Sequence, residues 1–172
     1  MGKQAASDQE DYFYVDGERV RLKPARDFCA VDLNRLKADT KLHGTTERLL
    51  GEVGASTRRG VSVVQKSKIP VEVAHDLDKR GVFQPVYEYG RSLMVVLPEV
   101  RIEEARPEMQ KKMRDWLDEH GAGVEINSRQ ARTEVRPKSG DGRDALHLAN
   151  EIQEQLAPEL VQARMLRVQT KP

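Results

Sequence analysis

One cysteine, Cys29, is the only thiol in this chain. An internal disulfide needs two and a thiolate metal cluster needs more, so both are excluded and a reducing compartment is expected. Aromatic residues make up only 5%, too few for the stacking platform of an RNA-recognition sheet. Charge of one sign is missing as well. The 29 Lys and Arg meet 28 Asp and Glu, leaving a formal net charge of +1. No field of the whole chain points to nucleic acid. Long apolar runs are also lacking. The opening "MGKQAASDQEDY" is polar, unlike a signal peptide, and no later window suits a bilayer span. The expectation is a cytoplasmic protein without nucleic acid or membrane as partner. No cofactor or metal is expected either, because His43, His75, His120 and His147 are scattered without metal-site spacing.

The rest of the sequence is a run of short elements. Residues 1–10 hold nothing to bury and are expected as a disordered tail. In "YFYVDGERVRL", residues alternate around Asp16-Gly17, which predicts a hairpin. "FCAVDL" predicts a strand. "TTERLLGEVGA" places Thr46, Leu49, Leu50 and Val53 on one helical face, with Gly54 as its stop. "RGVSVVQKS" has the β-branched residues of a strand. Pro70 and Gly81 bracket a short helix, and "VFQPVYEYG" is extended.

The second half is clearer. "RSLMVVLPEVRIEE" is the most continuous apolar run and predicts a buried strand. Pro107 opens a helix that Gly121 closes, with Met109, Met113, Trp116 and Leu117 in one stripe. "GVEINSRQARTEVRPK" predicts two strands with a turn near Ser128. Ala145, Leu148, Ala149, Ile152 and Leu156 then form the apolar face of a last helix, ended by Pro158. "LVQARMLRV" is the last strand.

Read in order, both halves give strand, helix, strand, strand, helix, strand. The predicted fold is α+β: two tandem ferredoxin-like (βαββαβ) sandwiches with antiparallel sheets. The tail is placed at 1–10, the hairpin plus first copy at 11–88, and the second copy with a C-terminal tail at 89–172. Each copy would pack helices on one sheet face and leave the other free.

Candidate chemistry is sparse. His43-Gly44-Thr45 before a helix matches the triplet around a subtilase histidine. A catalytic base also needs a nucleophile, an orienting carboxylate and an oxyanion hole, and no such segments accompany it. Cys29 likewise has no oriented partner. Arg58-Arg59 could touch an anion but fits a solvated turn better. These residues describe a non-enzyme binding module.

Several segments resemble the N-terminal prodomains of bacterial subtilisin-like serine proteases of the fervidolysin-like type. They are "YFYVDGERVRLKPARDFCAVDL", "GVFQPVYEYGRSLMVVLPEVRIE" and "DALHLANEIQEQLAPELVQARM". In the last, Asp144, Ala145, Leu146, Ala149 and Asn150 match the family's helix before a Val-x-x-Ala strand, which Val161 and Ala163 match loosely. The family's final strand continues through an acidic residue and a proline toward the catalytic domain. Here Arg164 and Met165 stand at those positions. The resemblance implies a stand-alone propeptide that inhibits, chaperones or regulates a subtilisin-like protease supplied as a separate chain. The sheet face carrying Leu93, Val95, Arg164 and Leu166 would touch the protease. The tail Val168, Gln169, Thr170, Lys171 and Pro172 would enter its cleft as an added strand. A general interaction or scaffold module without a protease is the alternative reading. Oligomeric state stays open.

Overall fold

A computed structural model describes residues 10–37, 56–79, 81–120 and 124–169. Residues 1–9 of the expected tail (1–10), the helix expected from Thr46 to Val53, His43 and residues 170–172 lie outside these.

The chain opens with the hairpin β1 (Tyr12–Val15) and β2 (Glu18–Arg21). Asp16 and Gly17 both have positive φ, the geometry that matches a two-residue turn to strand twist. Strand β3 (Lys23–Pro24) follows, then β4 (Phe28–Asp32), α1 (Leu33–Lys37), β5 (Ser56–Arg58), β6 (Val61–Gln65), a 3-10 turn (Lys66–Lys68), α2 (Val71–Lys79) and β7 (Phe83–Gln84). These four main strands form one antiparallel sheet in the order β5-β6-β4-β7. Past Pro85 the same extended segment becomes β8 (Val86–Tyr89) and joins a second sheet. That sheet contains β9 (Ser92–Glu103), β10 (Val124–Arg129), β11 (Arg132–Pro137) and β12 (Leu160–Gln169), with α3 (Pro107–His120) and α4 (Gly142–Leu156) between them. Most described elements agree with the sequence reading; two differ, since α1 begins at Leu33 where only a strand end and a polar stretch were expected, and the second-half turn falls at Gln130-Ala131 rather than near Ser128.

Strand β9 organises the second sheet. Along one edge it pairs with β12 from end to end. Along the other it pairs first with β8 and then with β11, which pairs β10. A proline inside such a strand needs a place where no ladder bond is lost. Pro98 has one. The registers Val96↔Met165 and Val100↔Ala163 leave three residues of β9 facing one of β12. On the opposite edge Pro98 falls between the β8 and β11 ladders. That gap admits the start of α4. A Cβ on Gly142 would lie 2.0 Å from the Val96 carbonyl oxygen, so only glycine allows this approach. Gln84 ties the junction together. Its Oε1 accepts from the Gly142 amide at 2.7 Å, and its Nε2 donates to the Gly140 carbonyl at 2.9 Å.

Alternation along β9 sorts its side chains. Met94, Val96, Val100 and Ile102 pack under α3 and α4 with Met113, Trp116, Leu117, Ala145 and Ile152. Leu93 and Val95 turn to the other face and meet Ala30, Val61 and Val63 of the first sheet, with Leu166 and Val168 of β12. Val31, Leu36, Leu77 and Val82 fill the far side of the first sheet. The molecule is therefore layered helix, sheet, sheet, helix. This corrects the expectation of two free sheet faces: the two sheets cover each other. The physical reason lies in "FCAVD", "VSVV" and "SLMVV", largely apolar runs whose consecutive residues are buried, as in strands covered on both faces. Fully burying a side chain such as Val95 is worth about 1.5–3 kcal/mol.

Candidate protein-binding face

Past Pro98 the same face of the second sheet changes character. Glu99, Arg101 and Glu103 of β9 continue the positions of Leu93 and Val95. Arg132, Glu134 and Arg136 of β11 and Gln162 and Arg164 of β12 lie beside them. Opposite charges face each other across the strands, as Glu134↔Arg101 and Arg132↔Glu103. Ion pairs join Arg101 to Glu103 and, at 3.1 Å, Arg132 to Glu134. Glu99 is largely buried and holds two guanidinium groups, Arg164 at 3.0 Å and Arg136 at 3.3 Å. The arginines are 40–60% exposed, so each pair adds at most about 1 kcal/mol to stability. A face this rich in charge is poorly explained by folding alone.

Strand β12 borders this region. Among the described residues it has a strand partner on one side only. Its other side faces a cleft of about 810 Å³, walled by hairpin residues 13–17 and by residues 158–165. The hairpin wall is fixed. Tyr12 and Tyr14 donate to Glu154 on α4 at 2.6 and 2.8 Å, and Arg19 joins the same oxygen at 3.1 Å. The hydrogen bond to Glu154, with lesser help from burial, pushes the Tyr12 hydroxyl up to about 12. An exposed strand edge beside a cleft can accept an extended segment as an added strand.

A second polar cluster anchors the chain's start. Asp11 is buried. It accepts from Tyr87 at 2.6 Å, from His147 Nε2 at 3.0 Å and from Arg143 at 3.3 Å. Burial alone would raise the Asp11 carboxyl, but hydrogen bonds from His147 and Tyr87 and the Arg143 charge outweigh it and hold it below its ordinary value. The bond to Asp11 raises His147 against the opposing effect of burial. Burial, then the Asp11 bond, pushes the Tyr87 hydroxyl up. The carboxylate–imidazole pair is the nearest approach to acid–base machinery among the described residues. Its hydrogen bonds tie the chain's start to Tyr87 and α4. Cys29 is buried, bonds the Val64 carbonyl at 3.7 Å and is pushed by burial up to about 11, which keeps it a thiol at neutral pH. Imidazole and indole of His120 and Trp116 stack at 4.2 Å at the end of α3. Among the described residues no three His, Cys, Asp or Glu side chains group as metal ligands, and no helix is long and apolar enough to cross a membrane.

The expected contact residues are separated by the fold. Leu93, Val95 and Leu166 lie in the core between the sheets, at 5%, 0% and 3% exposure; the first sheet claims the apolar end of the face. Arg164 alone lies on the exposed end. Val168 is not in a free tail: it pairs with Leu93 in β12 and is buried. Gln169 is the exposed last residue of β12, while Thr170, Lys171 and Pro172 lie outside the described residues. Sequence reasoning missed Glu99, Arg101, Arg132 and Arg136. The signal was Pro98, which interrupts an apolar run and is followed by strict alternation of charged and apolar residues. No protein-family model matches the chain, and no curated protein matches it significantly.

Proposed function

We propose that this chain is a non-catalytic protein-binding module that engages a subtilisin-like serine protease as inhibitor, folding chaperone or regulatory subunit. Each half is read as a split ferredoxin-like unit. The strand orders support this: β7-β4-β6-β5 and β12-β9-β11-β10 both run fourth, first, third, second, with antiparallel neighbours. The observation that carries the functional reading is the charged, exposed end of the sheet lying beside the one-sided strand β12. A protease surface would lie on that end, and one of its segments would extend the sheet at β12.

The test mixes purified chain with a subtilisin-like protease. Complex formation by gel filtration and a changed peptidase rate or refolding yield are expected. Absence of all three would exclude the reading.

A scaffold module without a protease is favoured by one observation: Val168 is committed to the core, so contact rests on the face more than on a tail. Removing residues 170–172 separates the two. A cleft-binding inhibitor loses potency, whereas a scaffold retains its partner.

A further inference from the structure

At the Pro98 bulge the two sheets part and leave a cavity of about 560 Å³. Five cations line it: Arg35, Arg59, Arg136, Lys138 and Arg164. Among the described residues two carboxylates join them, Asp32 and Glu99, and both are already occupied. Asp32 accepts from the amides of Asn34 and Arg35 and from Gln84. Glu99 is shared between Arg136 and Arg164. Among the described residues, Arg35, Arg59 and Lys138 have no carboxylate partner. Arg35 is nevertheless positioned, donating to the Gly140 and Ser139 carbonyls at 2.7 and 3.2 Å. The cations come from segments far apart in sequence, so their convergence is a product of the fold.

We infer that this cavity receives acidic side chains from an extended segment of the protein partner. The inference rests on the protein-binding reading above and names the chemistry of its contact. Arg59, Glu99 and Arg164 line both this cavity and the cleft along β12. A segment added to β12 would therefore run toward the cations. A lone phosphate needs donors aimed at one point; here Arg136 and Arg164 are held at Glu99 and Arg35 at the Gly140 and Ser139 carbonyls, a spread suited to several carboxylates. Like charges gathered around one cavity repel one another, and an acidic segment relieves that repulsion.

The probe is a fluorescent peptide of alternating glutamate and valine, titrated against the whole chain by anisotropy. A second peptide carries glutamine for glutamate, and inorganic phosphate serves as competitor. The acidic peptide is expected to bind at low salt and weaken steeply as salt rises. The glutamine peptide is expected to bind about tenfold more weakly or worse. Arg59→Glu and Lys138→Glu, neither of which breaks an ion pair among the described residues, are expected to cost the acidic peptide a similar factor. Arg114→Glu, on exposed α3, serves as control and leaves binding unchanged. Equal affinity for both peptides, insensitivity to Arg59→Glu and Lys138→Glu, or complete displacement by phosphate would overturn the inference. Peptide binding without any protease complex would refute the protease reading and leave the acidic-segment site standing.

Discussion

Strands β9 and β12 present one continuous face with two unlike ends. On one side of Pro98 it carries Leu93, Val95, Leu166 and Val168, buried against another sheet. On the other it carries Arg101, Glu103 and Arg164, partly or fully open to solvent, around the buried Glu99. Backbone pairing is similar at both ends; only the side chains and what covers them differ. The apolar end contributes stability, because burial is worth far more than exposed ion pairs. The charged end adds little to the fold, and its arginines stay 40–60% exposed among the described residues. A two-residue bulge lets one sheet do both.

The comparison breaks most severely at its apolar end. Val95→Asp would place an unpaired charge between the sheets and is expected to abolish cooperative folding. Leu166→Ala is expected to cost about 2–5 kcal/mol in urea unfolding.

The boundary is the next target. Gly142→Ala would force α4 away from the Val96 carbonyl and is expected to cost about 1–3 kcal/mol. Gln84→Leu would leave the Gly142 amide unpaired, with a similar loss of about 1–3 kcal/mol.

A third prediction concerns the far margin of β9. Glu104 is buried and holds Arg106 through two bonds of 2.8 Å; its carboxylate also accepts from the amides of Arg106 and Glu159. The Arg106 side-chain bonds, acting against burial, hold its carboxyl down at about 2 against an ordinary 4.5. A carboxyl depressed by folding stabilises above its unfolded value, and that stability is lost as pH falls through the folded value. Wild type is therefore expected to lose this part of its stability between pH 4.5 and about 2. Glu104→Gln removes that part of the pH dependence, which denaturation at a series of pH values measures.

The smallest stability effect belongs to the charged end. Arg59→Glu, at an exposed turn, is expected to shift stability by no more than about 0.5 kcal/mol, while abolishing most binding.

Much of this contrast was legible in the sequence. Periodicity located α3 and α4, and Asp16-Gly17 located the hairpin turn. The face was misassigned because alternation tells which residues share a side, not what covers that side. Leu93 and Val95 looked like a contact surface until the first sheet was seen to pack on them. Continuous runs such as "VSVV" already implied two-sided burial. The meeting of Arg35, Arg59, Lys138 and Arg164 could not be read from the chain. They are joined by long-range packing and share no motif. The same holds for Asp11, Tyr87 and His147, brought together from three distant segments.

The most direct test titrates a subtilisin-like protease with wild-type chain and with Arg59→Glu/Lys138→Glu, measuring complex formation and peptidase rate together. The expected result is a complex and a dose-dependent change in rate for wild type, both lost in the double variant although its unfolding curve is unaltered. A wild-type chain that forms no complex and leaves rate and refolding untouched, or a folded double variant that binds as well as wild type, would contradict a binding role for the charged end.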